Sequence, residues 1–474
     1  MNEIQLTGAW VSAAVSGTIV SGDPSTAFLG VSIDTRSMSR GELFVAIRGE
    51  RFDGVEFAGQ AVMAGAAGVI VPRPGGRSGT AADRNMQNAV PLVVIEVDDT
   101  TVALQSLAHA VRRASGTKVV AITGSAGKTT TKEVTGEFLA TRYRVVRNRG
   151  NLNNHIGLPL SLMELRKRPD VAVVELGMNH PGEITTLVRI AEPDVRVWTN
   201  VGEAHVGFFE SVDAIADAKS EIFEGASAAT LLVANADDYR VAERARRFSG
   251  RVTTFGIERD ADVRATAVAD RGVEGTAAHV TTSRGAIDIT TPLVGRGNLE
   301  NVLAATAVAL EFDVPLATVA EHAAQLRPAT HRGEIVRLTS GVTVIDDSYN
   351  ANPTATRRAI DVLATASASR RIAVLGEMLE LGEYAADLHA DVGRAVAAAD
   401  IDLLITVGGD GAAALAATAV AAGLGAGRVL HFPTSDQAAD AVARLILPGD
   451  VVLVKGSRGV KTERVVERLK AERG

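Results

Sequence analysis

The chain of 474 residues contains no cysteine, which excludes disulfide bonds, thiolate catalysis and cysteine-bound zinc. It also has no apolar run of the ~20 residues that a membrane-spanning helix needs. The first residues carry no basic stretch followed by an apolar segment, which is the pattern of a secretory signal. We therefore expect a cytoplasmic protein without membrane insertion.

Excess positive charge is also missing, because the formal net charge is -7 at pH 7. Binding to nucleic-acid phosphates needs a basic surface, so we expect no nucleic-acid partner. A composition of 46% hydrophobic and 22% charged residues is typical of globular proteins. At about 150 residues per domain, the length predicts about three domains.

The most informative segment that is present is a glycine-spaced turn at residues 121–130, with the sequence AITGSAGKTT. An apolar run before it predicts a strand, and the residues after it are compatible with a helix. Glycine allows backbone angles that side chains forbid, and N–H groups at a helix N-terminus bind phosphate. The common motif G-x-x-x-x-G-K-[ST] has glycine where this chain has Ile122; here the first glycine is Gly124.

This turn predicts ATP binding, with Lys128 neutralising β- and γ-phosphate oxygens and the Thr129 hydroxyl holding Mg²⁺. The nucleotide-binding residues expected in the turn are Gly124, Ser125, Ala126, Gly127, Lys128, Thr129 and Thr130. The alternative is a glycine-rich turn with a surface lysine. Unchanged ATP binding and turnover in Lys128→Ala would favour that alternative.

From about residue 117, short Val, Ile and Leu runs alternate with helix-period segments, as in a parallel sheet covered on both faces. Strands are expected at 119–122, 144–147, 171–175, 195–201 and 231–234, and helices at 182–192, 211–224 and 298–310. The Val- and Thr-rich segment 252–295 predicts a few antiparallel strands. A second series begins after Pro328, with strands expected at 342–345, 372–375, 403–407, 429–432 and 451–454.

The first hundred residues have a different pattern, with a strand expected at 43–47 and a polar loop at 72–88. We therefore predict an α/β protein of three domains. They are a small α/β domain at 1–114, a central P-loop domain at 115–328 and a Rossmann-like α/β domain at 329–474. The central domain is expected to hold a parallel sheet with a few antiparallel strands.

Polar residues at predicted strand ends are candidates for chemistry. Glu175 lies where a P-loop enzyme places a metal-binding carboxylate, although a solvated glutamate is equally expected there. His205 follows the next strand, at the edge where α/β proteins bind ligands. Lys219 shares the inward stripe of a predicted helix with Ile215 and Ile222. Its ammonium therefore snorkels to water, faces the nucleotide, or carries a modification that makes it an anion.

Two polar turns in the C-terminal series are further candidates. Residues 346–353 leave a strand and enter a polar turn before Pro353, which suits the first position of a helix. Either the paired aspartates Asp346 and Asp347 cap that helix, or the turn contacts a nucleotide ribose. The Lys455–Gly459 turn places two cations between a strand and a helix, which suits a carboxylate or a phosphate. A surface loop is the alternative for this second turn.

Together these motifs resemble those of the Mur ligases, which are ATP-dependent amide-bond-forming enzymes of peptidoglycan precursor synthesis. The resemblance runs nearly from end to end of the chain. The matching segments are 123–130, 151–159, 175–178, 200–205, 218–223, 297–301, 331–333, 346–353 and 455–459. It implies that Lys219 is carbamylated and helps hold a second Mg²⁺, and that Thr129, Glu175 and His205 also serve the metals.

The resemblance also implies the ligand-binding residues outside the cradle. The further nucleotide-binding positions are Asn298 and Asn301, near the adenine, together with Arg332 and Asp347. A segment that looks like a uridine-diphosphate site contains Ser32, Asp34, Thr35 and Arg36. The other substrate-binding positions are Asn154, Asn350, Asn352, Lys455, Ser457 and Arg458.

Two reactions of the family are distinguished by a C-terminal motif. The ligase that adds a diamino acid as the third residue carries Asp-Asn-Pro-Arg after a strand, whereas residues 406–410 here read TVGGD. Segments 347–353 and 375–382 look like those of the enzyme that adds D-alanyl-D-alanine to UDP-MurNAc-tripeptide. The implied reaction turns the tripeptide carboxylate into an acyl phosphate, which the dipeptide amine attacks.

The expected catalytic residues are Lys128, His205 and Lys219, and either His205 or a carboxylate near the metals would assist loss of the amine proton. The expected ligands are ATP, Mg²⁺, UDP-MurNAc-tripeptide and D-alanyl-D-alanine, bound by a monomer. The alternatives are the diamino acid ligase of the same family and a nucleotide-dependent switch protein. A nicotinamide oxidoreductase is disfavoured, because no G-x-G-x-x-G follows a strand.

Overall fold

The computed structural model describes residues 3–49, 51–74, 92–148 and 150–473, and these form two compact units. The first unit comprises Met1–Ala121, Tyr143–Met178 and Gly182–Asp194, and the second comprises Ile122–Arg142, Asn179–Pro181 and Val195–Gly474. The predicted polar loop lies outside the described residues from residue 75 onward. The domain limits inferred from the sequence stay a prediction.

Strands and helices alternate along most of the described chain. The strands are β1 (Leu6–Thr7), β2 (Thr18–Ser21), β3 (Ala27–Phe28), β4 (Val31–Ser32), β5 (Leu43–Val45), β6 (Gly68–Pro72), β7 (Val93–Val97), β8 (Lys118–Thr123), β9 (Val145–Arg147), β10 (Val171–Glu175), β11 (Val195–Trp198), β12 (Leu231–Asn235), β13 (Arg251–Gly256), β14 (Val263–Asp270), β15 (Thr276–Thr282), β16 (Gly285–Thr291), β17 (Glu334–Arg337), β18 (Thr343–Asp347), β19 (Arg370–Gly376), β20 (Leu403–Val407), β21 (Val429–Phe432) and β22 (Asp450–Lys455).

The helices are α1 (Gly8–Ala14), α2 (Ala58–Met63), α3 (Thr100–Ser115), α4 (Lys128–Ala140), α5 (Gly157–Leu162), α6 (Glu183–Ala191), α7 (Val212–Ser220), α8 (Tyr239–Ala245), α9 (Arg296–Glu311), α10 (Leu316–Ala323), α11 (Pro353–Thr365), α12 (Ala385–Ala398), α13 (Asp410–Ala421), α14 (Ser435–Leu445) and α15 (Glu463–Arg473). Over the residues that the structure describes, no helix combines the length and hydropathy needed to cross a membrane. The α/β fold predicted from the sequence is confirmed.

The first unit contains a five-stranded sheet with the order β2-β7-β6-β5-β4. Strands β4 to β7 pair in parallel, and β2 pairs with β7 in the antiparallel direction. Helix α3 begins after Asp99, whose carboxylate accepts N–H bonds of the first turn, and ends at Gly116 in the left-handed conformation. Strands β9 and β10 of this unit pair in parallel.

The second unit contains strands β11 to β14 in parallel pairs, followed by the antiparallel strands β15 and β16. Residue Thr123 at the end of β8 lies beside β11, because its carbonyl accepts the Thr199 N–H at 3.0 Å. All four residues of β11 and all five of β12 are buried. Burial of both faces is expected of parallel strands that helices cover on each side, and it explains why these strands are mainly apolar, with Arg196 and Asn235 as their polar residues.

The C-terminal part of the second unit is a six-stranded sheet with the order β17-β18-β22-β19-β20-β21. Its five strands from β18 to β22 are parallel, which confirms the Rossmann-like series, and β17 adds an antiparallel edge that the sequence reading missed. Helix α11 begins with Pro353 after the cap residue Asn352. Aliphatic side chains of this sheet pack against those of α14 and α15 and form a hydrophobic core.

Three predicted elements need correction. The strand expected to reach Val201 ends at Trp198, because the next two residues turn to bond the phosphate cradle. The helix expected to reach Glu224 ends at Ser220 and continues as a single 3-10 turn. The Arg196 guanidinium donates to the carbonyls of Ile222 and Glu224, which satisfies the helix end. In segment 252–295, β13 is parallel to both neighbours, and only the later strands are antiparallel.

Candidate nucleotide-binding and catalytic site

The glycine-spaced turn joins β8 to α4, as the sequence predicts. Gly124 and Gly127 have φ values of 151° and 82°, which side chains rarely adopt. A Cβ at Gly124 would overlap Thr199 Oγ1, and a Cβ at Gly127 would overlap Asn301 Oδ1. Both glycines are therefore required by backbone angle and by space, and the turn that they form leads into the N-terminus of α4, where the helix dipole favours an anion.

The cradle is held from one side by the turn that follows β11. Asn200 Oδ1 accepts the Ala126 N–H at 2.8 Å, and the Asn200 carbonyl accepts the Ser125 N–H at 3.0 Å. Ser125 Oγ in turn accepts the Gly202 N–H at 2.9 Å. These bonds fix Ser125 and Ala126 in place without using a ligand, so the cradle is preorganised for an anion.

Lys128 is the first residue of α4, and its Nζ donates to the Gly124 carbonyl at 2.7 Å. The lysine therefore folds back over the turn, where a bound phosphate would be. From the other side, Thr131 Oγ1 donates to Asn301 Oδ1 at 3.1 Å, and Asn301 Nδ2 donates to Asn298 Oδ1 at 3.2 Å. The structure thus brings Asn298 and Asn301 to the start of α4, next to the predicted nucleotide-binding residues.

Lys219 lies on α7 and is 2% exposed, so its side chain does not reach water. Burial, and to a lesser extent the positive charge of Lys128, lowers the pKa of Lys219 well below its usual value. Within the described part of the chain, no hydrogen bond or ion pair involves its ammonium group. The snorkelling alternative is therefore wrong. Burial favours the neutral amine of Lys219 over its charged ammonium.

His205 follows β11 with a φ of 64°, and its Nδ1 lies 2.6 Å from Glu380 Oε2. The contact is an ion pair whose angle falls outside that of a hydrogen bond. The interaction with His205 lowers the pKa of the Glu380 carboxyl below its usual value. The sequence reading did not identify Glu380 as a site residue.

Glu175 belongs to the first unit, where it ends β10 and is buried. Its Oε1 accepts the Asn153 side-chain N–H at 2.7 Å, and its backbone N–H donates to Asn148 Oδ1 at 3.0 Å. The solvated alternative is therefore wrong for Glu175. Asn154 of the same unit accepts the Gly157 N–H at 2.8 Å, so its side chain holds the start of α5.

The two C-terminal turns contact each other at the carboxyl ends of β18 and β22. Lys455 Nζ donates to Asp347 Oδ2 at 2.5 Å and to the Asn350 carbonyl at 3.0 Å. Ser457 Oγ donates to the Ala351 carbonyl at 3.3 Å. Lys455 is 3% exposed, so the interaction with Asp347 is formed away from bulk water.

Other predicted residues of these turns have structural partners. Arg332 stacks on the Tyr349 ring with its guanidinium carbon 4.2 Å from the centroid, and Arg458 lies 5.8 Å from the same centroid. Asn352 Oδ1 accepts the Ala355 N–H at 2.8 Å and so caps α11. Asp346 and Asp347 instead accept bonds from Ser348 and Lys455, so the alternative in which the paired aspartates cap this helix is wrong. Binding of ligands by these residues stays a prediction.

The predicted uridine-diphosphate segment lies in the first unit. Asp34 pairs with Arg36 through a 2.6 Å contact, and the hydrogen bonds from Arg36 lower the pKa of Asp34 to about 2. Ser32 Oγ accepts the Asp34 N–H at 3.2 Å, and Thr35 Oγ1 lies 3.5 Å from Gln60 Oε1. The Arg36 side chain is 88% exposed, so it is accessible to an anionic ligand.

Acidic and histidine side chains do not form a preformed metal-binding cluster in the part of the chain that the structure describes. In the ranges 3–49, 51–74, 92–148 and 150–473, no three His, Asp or Glu side chains converge on one point. The predicted set of Thr129, Glu175, His205 and Lys219 contains only two residues of those types, so this observation does not test it. The cradle itself fits a nucleotide phosphate, because a turn with two glycines at positive φ leads directly into the N-terminus of α4, with Lys128 lying over it.

Gly127→Ala is expected to lower the apparent unfolding temperature and to weaken ATP binding, because the methyl group meets Asn301 at a strained φ. The loss of stability should be about 1–3 kcal/mol. Gly182→Ala is the matched control, since Gly182 also precedes a helix at positive φ but has open space around it. Equal effects of the two changes, measured by thermal unfolding and ATP titration, would contradict the predicted overlap.

The fold and this site define a P-loop nucleotide-binding protein of the α/β class with an additional C-terminal α/β sheet. Family models match most of the chain. They are "Mur ligase family, catalytic domain" over residues 28–112, "Mur ligase middle domain" over 122–309 and "Mur ligase, glutamate ligase domain" over 331–458. The chain belongs to the Mur ligase family.

The chain is similar over nearly its whole length to proteins that are named MurF or UDP-N-acetylmuramoyl-tripeptide--D-alanyl-D-alanine ligase. The chain is 35% identical over 462 residues to the UDP-N-acetylmuramoyl-tripeptide--D-alanyl-D-alanine ligase of Bacillus subtilis, covering 97% of each chain. A crystal structure of MurF from Acinetobacter baumannii has a TM-score of 0.88 at 32% identity and covers 99% of this chain and 100% of that chain. The MurF ligase from Thermotoga maritima, solved in complex with ADP, has a TM-score of 0.80 at 28% identity, covering 94% and 97%.

Proposed function

We propose that this protein joins D-alanyl-D-alanine to the terminal carboxylate of UDP-MurNAc-tripeptide, using ATP, in peptidoglycan synthesis. The observation that carries the proposal is the 35% identity to a ligase of this name over 97% of both chains. The preorganised cradle supports the use of ATP, because its turn leads into the N-terminus of α4 and Lys128 lies over that turn.

The turn that follows β20 supports D-alanyl-D-alanine, rather than a diamino acid, as the incoming amine. The diamino acid ligase of the family is expected to carry Asp-Asn-Pro-Arg at the position where this chain has the turn after β20. The N–H groups of Gly409 and Gly411 in that turn donate to Glu377 at 2.9 Å and 3.0 Å. Because a glutamate of this chain already occupies the turn, it is not arranged to bind a free carboxylate of an incoming diamino acid.

ATP supplies a phosphoryl group that turns the tripeptide carboxylate into an acyl phosphate, and the dipeptide amine then displaces phosphate to form the amide. The protein must hold two anions together against their repulsion. Lys128 would lie on the transferring phosphoryl group, as its position over the cradle indicates. Lys455, Ser457 and Arg458 would hold the peptide substrates.

Mg²⁺ would be held by Thr129, Glu175, His205 and a carbamate on Lys219, and it would neutralise negative charge between the reacting groups. A lysine amine reacts with CO₂ to give a carbamate anion and releases one proton. The buried, unpaired state of Lys219 supports this modification, because it favours the neutral amine that the reaction needs. His205 would assist loss of the amine proton. We also propose that the protein is cytoplasmic and monomeric.

Phosphate release tests the reaction with ATP, Mg²⁺ and UDP-MurNAc-tripeptide, comparing D-alanyl-D-alanine with single amino acids as the added amine. Release is expected with the dipeptide alone. A parallel reaction contains UDP-MurNAc-dipeptide and a diamino acid. Release in that reaction would instead assign the preceding ligase step, and release that needs no amine would favour a nucleotide-dependent switch.

A further inference from the structure

The segment Glu377–Gly382 follows β19 and makes contacts that the mechanism above does not use. Its first residue is fixed within the C-terminal sheet. The Glu377 carboxylate accepts two N–H bonds at the start of α13, and the Glu377 carbonyl accepts the Ser457 N–H at 3.2 Å. A carboxylate at a helix N-terminus is also favoured by the helix dipole. The segment therefore begins at a fixed point.

The next two residues are also fixed. Met378 N–H donates to His389 Nε2, and Leu379 N–H donates to Ser457 Oγ, each at 2.9 Å. Burial lowers the pKa of His389, and its Nδ1 lies 2.7 Å from the Ala385 carbonyl, so a neutral ring with the proton on Nδ1 serves both bonds. Since Ser457 belongs to the predicted substrate-binding turn, the segment and that turn are joined.

Glu380 then contacts the turn after β11. Its carboxylate pairs with His205 at 2.6 Å, and its carbonyl accepts the Gly207 N–H at 3.1 Å. The two segments of the chain are so close that a Cβ on Gly207 would lie 2.5 Å from the Gly382 nitrogen. Glu380 and His205 both have left-handed φ values, of 65° and 64°. Residues other than glycine keep this conformation only where surrounding contacts fix it.

The turn that Glu380 contacts is the one that holds the phosphate cradle. At its start, Asn200 and Gly202 bond Ala126 and Ser125 of the cradle. At its end, His205 and Gly207 meet Glu380. A single short segment, residues 200–207, therefore contacts the nucleotide site on one side and the C-terminal segment on the other.

We propose that Glu380 is a positioning residue for the ligase reaction, which fixes the 200–207 turn against the C-terminal sheet and so aligns the cradle with the Lys455–Arg458 turn. Glu380 acts through His205 and the Gly207 amide rather than by touching a substrate. The proposal rests on the proposed function for the identity of the reaction. Its structural part, the fixing of the turn, does not depend on which substrate is used.

Glu380→Gln tests the proposal, because glutamine keeps the size of the side chain but removes the charge that pairs with His205. We expect kcat to fall by about 10- to 100-fold, since small misplacements of reacting groups cost rates of this order. The KM for ATP should change less than about threefold, because the bonds within the cradle remain. The matched control is Glu383→Gln, since Glu383 is exposed directly after this segment and the variant should retain the parent kcat.

Hydrogen exchange gives a readout that is independent of turnover. In Glu380→Gln, amides of residues 203–209 are expected to exchange about tenfold faster than in the parent, while those of β19 and β22 stay unchanged. Unchanged exchange at 203–209 would overturn the proposal, as would equal effects in Glu383→Gln. Faster exchange throughout the C-terminal sheet would also overturn it, because the substitution would then act on folding.

A double-mutant cycle tests whether Glu380 acts through His205. Adding Glu380→Gln to His205→Asn should lower kcat less than twofold further, and independent multiplication of the two effects would contradict the proposal. If the parent protein releases no phosphate with D-alanyl-D-alanine, the proposed function fails. The exchange comparison then still decides whether Glu380 fixes the turn.

Discussion

Lys219→Ala is expected to lower kcat by at least about 10²-fold, and acetate or propionate is expected to restore part of the activity. The side chain is 2% exposed and unpaired in the described structure, which suits a carbamate anion rather than a structural ammonium. Alanine leaves a space in which a short carboxylate can supply the missing anion. The measurement is phosphate release as a function of added carboxylate concentration.

Lys219→Met provides the matched control, because methionine fills the same space without a charge. This variant should be inactive and should not respond to acetate. Its apparent unfolding temperature should be at least that of the parent, since an apolar side chain replaces a buried polar group that has no hydrogen-bond partner in the described structure. An active Lys219→Ala variant that is insensitive to carboxylic acids would contradict the carbamate.

Lys128→Ala is expected to lower kcat by about 10²- to 10³-fold, which is the usual loss when one group that stabilises developing charge is removed. The Lys128 ammonium lies over the cradle and donates to the Gly124 carbonyl at 2.7 Å, so it is positioned for a phosphate before any ligand binds. Turnover measured by ADP release, together with calorimetric titration of ATP, separates a loss of catalysis from a loss of binding.

Lys470→Ala is the control for charge alone, because Lys470 is exposed on the C-terminal helix. It should keep the parent kcat and the parent affinity for ATP. A Lys128→Ala variant that binds and turns over ATP like the parent would return the turn to the class of ordinary glycine-rich surface turns.

Much of the fold could be predicted because its strands are buried on both faces. Strands β10, β12 and β20 appear in the sequence as short, mainly apolar runs, and their predicted limits agree with the structure to within one residue. The edge strand β17 was missed, since the edge of a sheet leaves its residues half-exposed and removes that pattern. The strand β11 was predicted too long, because the following apolar residue Val201 belongs to a turn.

The site could be predicted only where local sequence determines local structure. The cradle glycines follow from backbone angles that a strand-to-helix turn requires, so Gly124 and Gly127 were identifiable. Glu380 was not, because its partner His205 is 175 positions away along the chain and an isolated glutamate gives no local signal. Lys219 was identified as unusual from helical periodicity, and its burial in the structure excludes the snorkelling alternative.

Product mass tests the proposed reaction most directly. The purified protein is incubated with ATP, Mg²⁺, UDP-MurNAc-tripeptide and D-alanyl-D-alanine, and the nucleotide-sugar products are analysed by mass spectrometry, with each component omitted in turn. We expect a product equal to the tripeptide precursor plus the dipeptide minus one water, formed only in the complete mixture. Unchanged precursor in the complete mixture, with a diamino acid adduct formed from the dipeptide precursor instead, would contradict the proposed function.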